Sequence, residues 1–230
     1  MKITIHQPNF LPYLGFFDKC DFSDILVLYD SAQFKKNDFQ NRNKIKTSDR
    51  WIWLTVPVSY KFGDSISKVK IDNSKDWKNT HLKSLKLNYS KSPFYKEYIN
   101  KIKSIYNKKW TYLSDFNIAL INLLLKELKI KCKVVKSSEL NIKSRSTQAL
   151  VDICKKLNAK KYISGKDGKN YLNKELFEKE NIMVLSQDYQ YPKYKQKFKG
   201  FEPYMCILDL LFNEGPASLK IIKSGRKYIN

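Results

Sequence analysis

Ile25 to Tyr29 (ILVLY) is an unbroken apolar run, too short for a helix and flanked by Asp24 and Asp30. A strand written this way is buried on both faces, the situation of a central strand in a parallel sheet covered by helices. Lys2 to His6 (KITIH) reads as a second, β-branched strand that stops at Pro8, and Leu14 to Phe22 (LGFFDKCDF) between them has the apolar spacing of a helix. Strand, helix and strand within about 30 residues form a βαβ unit.

The rest of the chain repeats that alternation. Trp51 to Val58 (WIWLTVPV) reads as an edge strand, because Pro57 cannot donate to a ladder, with Ile66 to Ile71 as its partner. Trp77 to Tyr106 is helical and lysine-rich, with Pro93 opening a second helix, and Leu113 to Leu128 is apolar around much of its circumference and therefore a buried helix. Strands are expected at Cys132 to Val135, Lys161 to Ser164 and Ile182 to Leu185. Helices are expected at Ser144 to Leu157, capped by Ser144 or Ser146, at Asn173 to Lys179, and at Met205 to Phe212 up to Gly215-Pro216. The pattern predicts an α/β fold with a mostly parallel, Rossmann-like sheet flanked by helices and a small helical C-terminal part. No internal repeat and no Gly/Ser/Pro linker divides it, so residues 1–230 are expected to form one domain.

Composition narrows the partners. The formal charge is +22, from 44 Lys+Arg against 22 Asp+Glu, yet only Arg42, Arg50, Arg145 and Arg226 are arginines. Base-specific recognition leans on the bidentate arginine fork, so a lysine surface of this kind argues against a sequence-reading nucleic-acid site and leaves room for an anionic substrate. Cys20, Cys132, Cys154 and Cys206 stand far apart without a C-x-x-C pair, the pattern of reduced core residues, and no metal site is expected. No apolar run reaches the ~18 residues of a membrane span, and MKITIHQP lacks the n- and h-regions of a signal peptide. A cytoplasmic protein without membrane insertion is the expectation.

In open α/β sheets ligands bind beyond the carboxyl ends of the strands, so polar residues just after apolar runs are the candidates. His6-Gln7-Pro8-Asn9 follows the first strand and offers an imidazole that can act as acid or base near neutral pH. Asp30-Ser31-Ala32-Gln33-Phe34 follows ILVLY and sets a carboxylate at the same mouth. Gln40-Asn41-Arg42-Asn43-Lys44 crowds amides around a rare arginine able to hold a phosphate or carboxylate. Ser164 to Tyr171 (SGKDGKNY) is a glycine-containing turn between strand and helix, suited to an anion, though neither a Walker A motif nor G-x-G-x-x-G is present. Trp77 with His81 and the tail box Asp209-Leu210-Leu211-Phe212-Asn213 read as core packing and capping. The aromatic, basic stretch Tyr189 to Lys195 (YQYPKYK), with the charge of +22, favours an RNA-binding module.

Together these segments resemble the WbqC-like protein family. The resemblance is carried by HQPNFLPYLGFFDK, by DSAQF followed by QNRNKIK, by WLTVPV, by W-x-x-x-H at Trp77 and His81, by YISG at Tyr162 to Gly165 and by ILDLLFNEG, in the family's order over essentially the whole chain. Members are often encoded among genes for O-antigen and other surface polysaccharides. The resemblance implies a transferase that acylates or aminoacylates, for example with glycine, the amino group of a nucleotide-linked amino sugar, using an activated acyl or aminoacyl donor. On that reading His6 deprotonates the attacking amine and Asp30 orients the imidazole or binds the ammonium. Gln7, Asn9, Gln33, Gln40 and Asn41 supply hydrogen bonds, and Arg42, Lys44, Ser164, Gly165, Lys166 and Tyr171 hold the substrate and its diphosphate. Two alternatives stay open: a nucleotidyltransferase or ATP-dependent ligase of sugar metabolism, and an RNA-binding protein that takes an aminoacyl-tRNA as donor.

Overall fold

The computed structural model describes residues 1–166, 168 and 172–229. The chain runs through β1 (Lys2–His6), α1 (Leu14–Phe22), β2 (Ile25–Leu28), β3 (Arg42–Lys46), β4 (Trp51–Thr55), β5 (Val58–Ser59) and β6 (Lys70–Ile71). Three helices follow, α2 (Trp77–Tyr89), α3 (Tyr95–Tyr106) and α4 (Leu113–Glu127), and then β7 (Lys133–Lys136), α5 (Ser146–Lys156), β8 (Lys161–Ser164), α6 (Lys174–Glu178) and β9 (Met183–Gln187). The C-terminal part is helical, α7 (Ile207–Glu214) and α8 (Ser218–Ser224), before β10 (Tyr228–Ile229).

The central sheet has the order β10-β9-β8-β1-β2-β7. Its other five strands, β9-β8-β1-β2-β7, are parallel, and only the edge strand β10 runs antiparallel, against β9. From β1 the chain builds outward through β2 to β7, then returns to lay β8 on the other side of β1 and β9 beyond it. The order therefore reverses between β1 and β8, the topological switch point where α/β sheets open a crevice at their carboxyl edge.

ILVLY and KITIH form the strands expected of them because both sheet faces are covered. Ile3, Ile5, Ile25 and Val27 pack into a core with Leu150, Ile153 and Phe177 from α5 and α6. Leu26 and Leu28 point the other way, into a larger core with Phe16 and Phe17 of α1, Phe116 and Leu120 of α4, and Leu208 and Phe212 of α7. Full burial of each such side chain contributes about 1.5–3 kcal/mol. Gly215 ends α7 with φ +50°, and a Cβ there would lie 2.4 Å from the Phe94 ring, so both backbone and space demand glycine.

Two expectations are corrected. Trp51 to Val58 is not one strand: Pro57 divides it into β4, which pairs with β3, and β5, which pairs with β6 through Val58 and Ile71. Neither Ser144 nor Ser146 caps α5; Arg145 occupies the cap position without a side-chain hydrogen bond, and the Ser144 hydroxyl donates to Asp152. The polar run around Arg42 forms strand β3, in which Asn43 donates its side-chain N–H groups to the Phe10 and Leu11 carbonyls and sits buried beside Ile45. Among the described residues no helix is long and apolar enough to cross a membrane.

Candidate functional site

His6 ends β1 at the switch point. Residues alternate sides along the strand, so the inward turn of Ile3 and Ile5 toward one core sends His6 to the opposite face, where its ring meets Phe16 edge-on at 5.0 Å. Its Nδ1 lies 2.9 Å from the Gln7 carbonyl oxygen. A carbonyl only accepts, so Nδ1 carries the hydrogen and Nε2 keeps its lone pair. Burial, the charge of Lys19 and, in opposition, the Gln7 bond leave the imidazole's pKa lowered to about 3, so the ring is neutral at physiological pH.

Lys19 is the residue that sequence reasoning missed. It sits on α1, 2% exposed, with its ammonium close enough to depress His6 and 3.6 Å from where a Cβ on Gly165 would stand. Ser164, fully buried at the end of β8, and Gly165 follow the strand on the other side of the switch point, and the Ser164 hydroxyl donates to the Gly165 carbonyl at 3.2 Å. A buried cation at a carboxyl-edge crevice favours an anion there, since attraction between charges strengthens where water is excluded. The available signal was the Asp18-Lys19 pair set between Phe16-Phe17 and Cys20 in α1: Asp18 is fully buried too, and accepts from Arg226, Gln187 and Tyr228.

A second cluster adjoins the first through the His6-Gln7 peptide. A pocket of about 300 Å³ is lined by Gln7, Gln33, Phe34, Lys35, Asp38 and Gln40, which brings together three of the amides expected to bind substrate. The Lys35 backbone N–H donates to Gln40 Oε1 at 2.9 Å, which fixes the Gln40 amide. Gln40 Nε2 then donates to Gln7 Oε1 at 2.8 Å. By elimination the Gln7 NH₂ group is the end presented as a donor.

The remaining candidates are placed differently. Asp30 is 2% exposed, and its carboxylate accepts from the Ser137 hydroxyl (3.0 Å), the Ser138 N–H (2.9 Å) and the Ser138 hydroxyl (2.7 Å), tying β2 to the turn after β7 instead of to His6. Asn41 donates to the Val56 carbonyl at 3.0 Å and supports the β3 entry. The side-chain oxygens of Asn9 and Asn41 are buried without a hydrogen-bond partner. Arg42 and Lys44 project from the outer face of β3, over the Trp53 and Trp51 rings, and not into the pocket. Lys166 is exposed, and Tyr171 falls outside the described residues. Among the described residues no group of three or more His, Cys, Asp and Glu is placed to hold a metal ion. Cys20 and Cys132, far apart in sequence, meet side chain to side chain; this contact lowers the Cys132 thiol pKa, while burial raises that of Cys20.

His81 serves packing. Its Nε2 donates to the Thr55 carbonyl at 3.1 Å and its Nδ1 accepts from the Tyr106 hydroxyl at 3.2 Å, beside Trp77 at 5.3 Å. Burial lowers its pKa to about 4 against 6.5. A depressed histidine binds fewer protons folded than unfolded, so its contribution is complete above pH 6.5 and drains as pH falls toward 4. Acidification over that window is expected to cost up to about 3 kcal/mol at this site. Urea midpoints measured at intervals between about pH 7 and about pH 4 check it, with His81→Gln expected to flatten the acid limb.

A mostly parallel α/β sheet, with His6, Lys19 and Ser164 at its switch point and an amide-lined pocket beside it, defines the structural class of the chain. Within it the chain belongs to the WbqC-like protein family, whose profile matches residues 7–221. It is 37% identical, over 218 residues, to the uncharacterized protein Rv1507c of Mycobacterium tuberculosis (strain ATCC 25618 / H37Rv), covering 93% of this chain and 94% of that protein. No solved structure matches.

Proposed function

We propose that this protein is a transferase of bacterial surface-polysaccharide (O-antigen) biosynthesis that acylates or aminoacylates the amino group of a nucleotide-linked amino sugar. The observation that carries the reading is the juxtaposition of a buried ammonium, Lys19, with a neutral imidazole, His6, at the switch point. The crevice suits a phosphate, held by Lys19 and by Ser164 and Gly165 after β8. Sugar hydroxyls need both donors and acceptors, which Gln7, Gln33 and Gln40 supply in the adjoining pocket.

In the chemical step the sugar amine attacks the donor's carbonyl carbon, and a C–N bond forms. The proton on that nitrogen passes to His6 Nε2, and the bond to the donor's leaving group breaks with its electron pair leaving on that group. The Gln7 NH₂ is the donor available to the developing oxyanion. An anion paired with Lys19 relieves the charge that depresses His6, so substrate binding strengthens the base it needs. Asp30 acts by holding the loop after β2, not by touching the imidazole.

Thermal shift against a panel of nucleotide-linked sugars tests the reading, because a ligand that binds only the native state raises stability by RT ln(1 + [L]/Kd). Nucleotide-linked amino sugars are expected to raise Tm at about 100 Kd by the equivalent of about 2.7 kcal/mol, and the free neutral sugars not at all. No shift with any member of the panel sinks the proposal.

A further inference from the structure

The β3–β4 hairpin carries a surface that the transferase reading does not use. In an antiparallel pair, residues opposite one another share a face, and here Arg42 faces Thr55, Lys44 faces Trp53 and Lys46 faces Trp51. The opposite face, with Asn43, Ile45 and Leu54, is buried against the body of the protein. The Arg42 guanidinium lies 4.2 Å from the Trp53 ring centre, the Lys44 ammonium 4.0 Å from that of Trp51, and Arg50 6.0 Å from the same ring. Phe39, 46% exposed, extends the aromatic surface 6.2 Å from Trp53.

A general excess of lysine does not explain this face. The chain has only 4 tryptophans and 4 arginines among its 230 residues, and half of each stand between positions 42 and 53. Trp77 is core and Trp110 is packed against it, whereas Trp51 and Trp53 are partly exposed. Among the described residues Arg42, Lys44 and Arg50 are in no ion pair, so these cations are held by ring faces and not neutralised by carboxylates. The charge continues past the hairpin. Lys46 donates to the carbonyls of Phe198 and Gly200, which pins the segment 189–201 against the end of the ribbon. In that segment the exposed Lys193, Lys195, Lys197 and Lys199 alternate with the half-buried Tyr194, Gln196 and Phe198.

We propose that the Trp51–Trp53 face of the β3–β4 ribbon, continued by the lysines of segment 189–201, binds a single-stranded nucleic acid. Its bases stack on the two indoles and its phosphates lie on Arg42, Lys44 and Arg50. Stacking platforms interleaved with cations bind single strands without reading sequence, since every base has a π-face. An acidic protein would find the cations but has no use for paired indoles, and a neutral glycan would find the indoles but not the charge. The inference stands whether or not the transferase reading holds, because neither indole lines the amide pocket.

The test is fluorescence anisotropy of a labelled oligouridine of about 12 nucleotides titrated with the full chain at about 0.05 M and about 0.2 M salt, with inorganic polyphosphate as competitor. Oligouridine is expected to bind, to quench tryptophan emission and to weaken with salt. Trp51→Ala and Trp53→Ala are each expected to weaken binding about 5-fold to 100-fold at unchanged salt slope. The double variant Arg42→Ala/Lys44→Ala is expected to lower the slope by about 0.7 for each phosphate no longer neutralised. Trp51→Phe and Trp53→Phe, checked for folding by circular dichroism, are expected to stay within a few-fold of the wild type because a phenyl ring still stacks. Tryptophan variants that keep full affinity, polyphosphate that binds as tightly as oligouridine, or no binding at about 0.05 M salt overturns the proposal.

Discussion

Replacing His6 with alanine is expected to lower turnover of the proposed acyl or aminoacyl transfer by about 100-fold to 10,000-fold, the range for loss of a general acid–base group. The fold is expected to survive, because among the described residues the ring's hydrogen bond is to its own neighbour Gln7 and its ring contact is with Phe16. His6→Gln, which keeps volume and a donor but no proton-accepting nitrogen, should lose nearly as much turnover. Near wild-type turnover in both variants removes His6 from the chemistry. Lys19→Gln supplies a readout independent of activity: with the charge gone, the His6 imidazole is expected to titrate above its present value of about 3 when followed by NMR. A ring that titrates unchanged breaks the proposed link between anion binding and base strength. Asp30→Asn is expected to act mainly on stability, by about 1–3 kcal/mol, since an amide cannot accept all three hydrogen bonds now made to Ser137 and Ser138.

The sheet was legible because its signals are local. ILVLY and KITIH announce two-face burial by composition alone, and the chain order of strands and helices follows from periodicity. Strand order was not legible: nothing near Lys161 says that KYIS pairs with β1 instead of β7, and that pairing creates the switch point. The site was half legible for the same reason. Gln7 and Gln33 follow apolar runs and line one pocket, because the ends of β1 and β2 lie at one edge of the parallel sheet, and Gln40, just before β3, joins them through its hydrogen bond to Gln7. Lys19 escaped notice because a lysine in a chain with 40 of them carries no weight until its burial is known.

Asp30 shows the reverse error. A carboxylate after a strand looks like a catalytic partner for a nearby histidine, yet the groups that occupy it come from Ser137 and Ser138, more than 100 residues away. The same holds for Arg42 and Lys44. In sequence they belong to an amide cluster, but in an antiparallel ribbon the period of two sends them to the opposite face from Asn43, and tryptophans from β4 meet them there.

Asp209→Ala is expected to be the most destabilising single substitution proposed, at about 3–5 kcal/mol, the cost of breaking a fully buried, hydrogen-bonded charge network. The tail box reads as helix capping in sequence, but Asp209 is a hub. Its carboxylate accepts from Tyr89 at 2.8 Å, Tyr194 at 2.7 Å and Gln196 at 2.8 Å, and Tyr89 in turn accepts from the Lys46 backbone N–H at 2.9 Å. One side chain of α7 thereby fastens α2, the ribbon and segment 189–201 together. Alanine leaves two hydroxyls and an amide buried beside an apolar methyl, so the penalty exceeds that of a cavity alone. Burial outweighs those hydrogen bonds and raises the carboxyl's pKa. A raised acid binds more protons folded than unfolded, so its protonation stabilises the fold as pH falls and opposes the drain at His81. Asp209→Asn, which retains the shape and cannot titrate, is therefore expected to lose stability more steeply on acidification than the wild type. Urea midpoints across pH measure that slope. Limited trypsin digestion measures the other consequence, since a freed segment exposes Lys193, Lys195, Lys197 and Lys199 to cleavage. An alanine variant that stays within about 1 kcal/mol of the wild type and resists trypsin equally would show that the hub does not hold segment 189–201 in place.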